Sequence, residues 1–130
     1  MARTTLLILL GLAILVEAAL AGGAFFAPAF TLRQFQVTYS ADTAFLGYVL
    51  AWTLLFITLV AGWAFWQVWQ RRPYFAALCY LLGFWWIGIG LGIYFTTGRP
   101  ANLALDTLKG LLIVLATWRC QAQRLMVRRY

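Results

Sequence analysis

The sequence predicts an all-α fold: a polytopic transmembrane bundle of four helices, one integral membrane domain over residues 1–130, with both termini cytoplasmic. Three observations carry that expectation. Hydrophobic residues make up 65% of the chain, charged residues 10%, and the mean hydropathy is +0.86. A soluble domain carries about 25% charged residues to clothe its water-facing surface, so the solvent implied here is lipid. Four apolar stretches follow, at about residues 5–29, 43–69, 74–97 and 101–118, each near or above the roughly 18–20 residues that cross a hydrocarbon core of about 30 Å. The arginines, finally, are distributed unevenly between the connectors.

In lipid the backbone satisfies its own hydrogen bonds, so runs of this length are helices. Strand alternation is absent from them, which argues against a small β-barrel. The first stretch follows a short basic segment, and Ala19-Leu20-Ala21 resembles the cleavage site of a secretory signal. Glu17 interrupts what would be its apolar region, and the stretch is taken as a span. Pro28 is placed to bend or end that helix. The connector over residues 30–42 alternates Phe35, Val37 and Tyr39 with polar residues; it suits a short strand or an interfacial helix, and so few residues do not separate the two periods. Ser40 or Asp42 is positioned to cap the second helix. Arg71-Arg72-Pro73 and Gly98-Arg99-Pro100 read as tight turns, with proline suited to the first turn of each following helix. The last twelve residues, RCQAQRLMVRRY, form a basic amphipathic end expected to lie on the inner leaflet.

With the N-terminus inside, Arg3, Arg71, Arg72, Arg119, Arg124, Arg128 and Arg129 collect on one side, and only Arg33 and Arg99 on the other. That bias makes the first side cytoplasmic. Trp66, Trp69 and Tyr74 then fall where an inner aromatic belt belongs. The expected location is a bacterial-type cytoplasmic (inner) membrane, crossed several times.

The formal charge of +7 does not point to nucleic acid. The basic residues lie between apolar blocks or at the C-terminal end, without a soluble basic face to track phosphates, and such charge fits anchoring at an anionic membrane surface. The chain has no histidine. That removes haem ligation through histidine, histidine-based metal sites and Ser-His or Cys-His catalysis, so neither a cofactor nor a metal is expected. Cys79 and Cys120 show no metal spacing, and both fall near the inner face, where a disulfide is not expected. No paired carboxylates or activated nucleophile are legible, and enzyme chemistry is not expected.

Two charges lie deep in the apolar runs. Glu17 comes twelve residues after Thr5, about 18 Å into the first helix at about 1.5 Å per residue, which leaves about 12 Å to the outer face of a core of about 30 Å. Lys109 comes eight residues after Ala101, about 12 Å in from that same outer face. Opposite charges at one depth predict an ion pair between the first and fourth helices, because a partner strongly reduces the several kcal/mol that a lone charge costs in hydrocarbon. Asp106 is three residues before Lys109 and shares its face. Ala13, Ala21 and Ala24 flank Glu17 at helical spacing and permit close approach of another helix. The cluster of Glu17, Asp106 and Lys109 reads either as a staple that fixes helix register or as a site for substrate or protons. In the third stretch, Gly88 and Gly92 form a G-x-x-x-G pair suited to helix packing. Trp85 and Trp86 lie about 16 Å into that helix, either as filling or as the lining of a site for an apolar ligand such as a quinone or isoprenoid lipid.

Two family resemblances follow from these residues. LGLAILVE, residues 10–17, and Trp86-Ile87-Gly88-Ile89-Gly90 resemble stretches of the first and third helices of the small multidrug resistance transporters. That resemblance implies Glu17 as a coupling carboxylate and Trp86 as an aromatic wall of the pocket. The layout is also similar to the DoxX-like group of four-helix membrane proteins: a first helix ending near a proline, a long first connector, a glycine-rich third helix and a TGRP turn into the last. It implies a small membrane protein without defined chemistry. The resulting expectation is an accessory or assembly protein of a membrane complex, partnered by the lipid bilayer and by itself or another membrane protein. The alternative is a small proton-coupled transporter, or a protein binding a lipophilic small molecule, centred on Glu17.

Overall fold

The structure, a computed structural model, describes residues 2–127. Its elements are helical: α1 (Ala2–Phe26), α2 (Pro28–Gln34), α3 (Ala44–Trp69), α4 (Phe75–Thr97), the single turn α5 (Pro100–Asn102), a π-helical turn (Leu103–Thr107) and α6 (Leu108–Val127). No strand occurs among the described residues. Three helices, α1, α3 and α4, are long and apolar enough to cross a membrane. Arg128 and Arg129 lie outside the described residues, as does the side chain of Arg124.

The boundaries follow local chemistry. Ala27 leaves helical geometry, with φ −139° and ψ 60°, and Pro28 takes the first position of α2. There its missing N–H is no loss. Of the two readings of the 30–42 connector, the helical one applies to its first part, through Gln34, and no strand forms. Gly47 lets α2 fold back on α3, since a Cβ there would sit 3.3 Å from Pro28 Cβ. Before α3, the Ser40 N–H donates to Thr43 Oγ1 at 2.7 Å and the Thr43 N–H to Ser40 Oγ at 3.3 Å. The N-cap of α3 is Thr43, without a side-chain capping hydrogen bond, so neither Ser40 nor Asp42 caps the helix; Ser40 closes the turn that precedes it. Gly98 ends α4 with φ 67° and donates its N–H to the Tyr94 carbonyl at 2.7 Å, a left-handed conformation that glycine adopts without a Cβ clash.

The fourth apolar stretch departs furthest from expectation. A single helix over residues 101–118 is replaced by one α turn, a π turn and a helix that continues to Val127. The described part of the C-terminal end is thus a continuation of α6 and not a separate surface element. The π turn, a wider coil that often marks functional positions, places Asp106 just before α6 begins.

α1 packs antiparallel on α3, and α4 antiparallel on α6; α1 also meets α6 and α3 meets α4, so α1 and α4 stand on a diagonal. Arg3 fixes one end of the first pair. Its guanidinium donates to the Val68 carbonyl at 3.1 Å and the Trp69 carbonyl at 2.7 Å, two of the groups that the end of α3 leaves without helical partners. Tyr80 Oη and Gln121 Oε1, 2.9 Å apart, tie α4 to α6 at that same end. At the opposite end, the Arg99 guanidinium donates to the Gln34 carbonyl.

The buried face of α1 is Leu6, Leu10, Ala13, Glu17, Ala21 and Ala24, a rhythm of three and four residues that keeps one seam against its neighbours. Facing it, α3 buries Ala51, Ala61 and Ala64, and small residues at such seams let helix backbones approach. The outward faces carry the large apolar side chains instead, among them Leu15 at 68% exposure, Phe56 at 64% and Phe84 at 60%. Small residues inside and bulky apolar ones outside suit a lipid bilayer, where the exterior gains nothing from polarity.

Candidate intramembrane polar site

Glu17 occupies a core position of the α1 seam and is only 5% exposed. Its Oε1 accepts two hydrogen bonds, from Lys109 Nζ at 2.7 Å and from Trp86 Nε1 at 2.7 Å. Lys109 Nζ also donates to Asp106 Oδ1 at 2.9 Å. The same ammonium stands 4.7 Å from the centroid of the Trp86 ring, within the range of a cation–π contact. Three elements converge on one carboxylate oxygen: α1 supplies Glu17, α4 supplies Trp86 and α6 supplies Lys109. Asp106 joins through the turn that precedes α6.

Two carboxyl groups share one ammonium. The Lys109 side chain is 16% exposed and that of Asp106 20%, whereas the Glu17 side chain is 6% exposed. The cluster therefore runs from a buried carboxylate outward through the lysine to a partly open aspartate. Trp86 contributes with both parts of its indole, the N–H to Glu17 and the ring to Lys109. Thr107 follows Asp106 in the π turn, and its Oγ1 is buried without a hydrogen-bond partner.

The structure brings together Glu17, Asp106 and Lys109, the three charged residues singled out in the sequence. It divides the tryptophans. Trp86 is 2% exposed and belongs to the cluster, while Trp85 is 41% exposed and points away from the core. It also relocates close glycine packing. A Cβ added at Gly88 or Gly92 would meet nothing within 4 Å, so this pair serves no packing contact among the described residues. The close approach is between Gly83 on α4 and Gly110 on α6. A Cβ on Gly83 would lie 2.6 Å from Val114 Cγ2 and 3.0 Å from the Gly110 carbonyl oxygen; one on Gly110 would overlap the Gly83 carbonyl oxygen. Because Gly110 follows Lys109 directly, this backbone contact sets how deeply α6 presents the lysine.

Thr117, on α6, is buried and returns its hydroxyl to the Ile113 carbonyl at 2.7 Å. Cys79 and Cys120 are both free and buried. Among the described residues, no group of three or more histidine, cysteine or acidic side chains is arranged to hold a metal ion. Chemically, the cluster can neutralise charge within an apolar interior and join three helices through a single oxygen. Comparison with family models, curated proteins and solved structures finds no match for this chain.

Proposed function

We propose that the chain is a small four-span protein of a bacterial-type cytoplasmic membrane, with both termini cytoplasmic, that serves as an accessory or assembly protein of a membrane complex. Counting α6 as the fourth crossing is supported by its exposed face of Leu108, Leu111, Leu112, Leu115 and Trp118. The orientation is supported by the arginine bias, and the accessory role by the DoxX-like layout.

One observation carries the choice of role: Glu17 is closed off. It is buried, and its Oε1 is taken by both Lys109 and Trp86, so the charge is spent on holding helices together. The alternative of a small proton-coupled transporter or lipophilic-ligand-binding protein has one observation in its favour, the partial exposure of Lys109 and Asp106 beside the buried glutamate.

Crosslinking in native membranes followed by mass spectrometry separates the two. A stoichiometric membrane-protein partner supports the accessory role. Purified protein that drives solute uptake into liposomes under a pH gradient, with the uptake lost in Glu17→Gln, contradicts it.

A further inference from the structure

Lys109 is the chain's only lysine, and its ammonium is held by three groups of two chemical kinds. Glu17 Oε1 lies at 2.7 Å, Asp106 Oδ1 at 2.9 Å, and the Trp86 ring centroid at 4.7 Å. Two carboxylates and an aromatic face make up a recognition set for a primary ammonium. The oxygens take its N–H donors in charge-assisted bonds, and the negative face of the ring takes the remaining positive field. A staple between α1 and α6 requires one acceptor for the lysine; a second carboxylate and a ring exceed that requirement. Trp86 is also more than filling, since its N–H binds the same oxygen as the lysine and fixes the carboxylate beside the ring.

We propose that Glu17, Asp106 and Trp86 form an ammonium-binding site whose resident ligand is the chain's own Lys109, and that a free primary alkylammonium fills it when the lysine head group is removed. This rests on the reading that the cluster closes the α1–α6 contact. Lys109 acts there as a tethered ligand, kept in place by the high effective concentration that a short tether gives. The ligand class follows from the contacts. The cation needs at least two N–H donors for the two carboxylates, and a slim unbranched chain that follows the path of the lysine methylenes. A tetraalkylammonium has no donor and loses both bonds.

Lys109→Ala removes the three outer methylenes and the nitrogen, and n-propylammonium supplies those atoms one for one. Thermal unfolding of purified Lys109→Ala in lipid nanodiscs is measured with n-propylammonium, tetramethylammonium or sodium chloride at equal ionic strength. The expected result is a saturable recovery of most of the lost Tm with n-propylammonium alone, abolished in Lys109→Ala/Glu17→Gln. No recovery, or equal recovery with sodium, overturns the proposal. Should Lys109→Ala fail to fold, the intact protein gives a second readout, because lysine labelling with nitrogen-15 yields a single side-chain resonance. That ammonium signal is expected to exchange slowly with water and to move in both Asp106→Asn and Trp86→Phe; the signal of a free, fast-exchanging lysine overturns the proposal. A Glu17→Leu/Lys109→Leu protein that regains stability while n-propylammonium has no effect would leave the helix contact standing and remove the ammonium site alone.

Discussion

Gly110→Ala tests the packing of α4 against α6 at one methyl group. The added Cβ would overlap the Gly83 carbonyl oxygen and lie 2.8 Å from Ile87 Cγ1 and 2.9 Å from the Ile87 nitrogen. Two of these three atoms are backbone and cannot swing aside, so the helices must separate. Overpacking of a well-filled core costs about 1–3 kcal/mol, and backbone contacts place this case toward the upper end. Alanine recovers about 1 kcal/mol through its better helix propensity, which leaves a net loss of about 1–2 kcal/mol. Gly88→Ala is the matched control, since its Cβ meets nothing within 4 Å and the propensity gain stands alone. Thermal unfolding in detergent should show Gly110→Ala below the parent and Gly88→Ala at or above it. Because Lys109 is the adjacent residue, Gly110→Ala should also disturb the lysine resonance. A Gly110→Ala protein as stable as the parent, or Gly88→Ala equally damaging, would refute the assignment of the close contact.

The two tryptophans should separate in the same assay. Trp86→Phe keeps a ring and removes the N–H to Glu17, and a hydrogen bond to a charged group is worth about 1.5–3 kcal/mol, whereas Trp85→Leu should change stability by less than about 0.5 kcal/mol, as surface substitutions do; equal effects would dissolve the distinction. For topology, a cysteine at position 36 should be labelled from the periplasm and one at position 123 should not. Labelling of position 123 in sealed cells would reverse the orientation.

Depth was legible in the sequence, and helix rotation was not. Counting residues from the ends of the apolar runs placed Glu17 and Lys109 at one level, and the structure joins them at 2.7 Å. The same arithmetic puts Trp86 about 16 Å into its helix, within a helical turn of the level of Glu17, so its membership of the cluster had a signal. In helices that are apolar on all sides, no polar face marks which residue turns inward, and Trp85 and Trp86 read alike. Glycine identity had the same weakness: Gly88 and Gly92 had the motif spacing, while Gly83 and Gly110 had the contact, which only the pairing of α4 with α6 reveals. The π turn before α6 leaves no mark in the hydropathy, and its residues LALDT read as ordinary helix. The Arg3 contact with the end of α3 spans more than sixty residues; charge counting put both on one side of the membrane without bringing them together.

The central claim, that Glu17 and Lys109 hold α1 to α6 as a compensated pair, is tested most directly by a double-mutant cycle in detergent. Glu17→Leu, Lys109→Leu and the double variant are compared with the parent by unfolding free energy. Removing one partner of a buried pair costs about 3–5 kcal/mol, while replacing both with apolar residues is often neutral. The structure adds an asymmetry. In Glu17→Leu the lysine keeps Asp106 at 2.9 Å, so the loss should fall at or below the lower end. Lys109→Leu deprives two carboxyl groups at once and should be the more damaging single change. The double variant should recover most of the stability that Lys109→Leu loses. A double variant no more stable than the worse single would show that the two residues do not compensate each other, and would contradict the account.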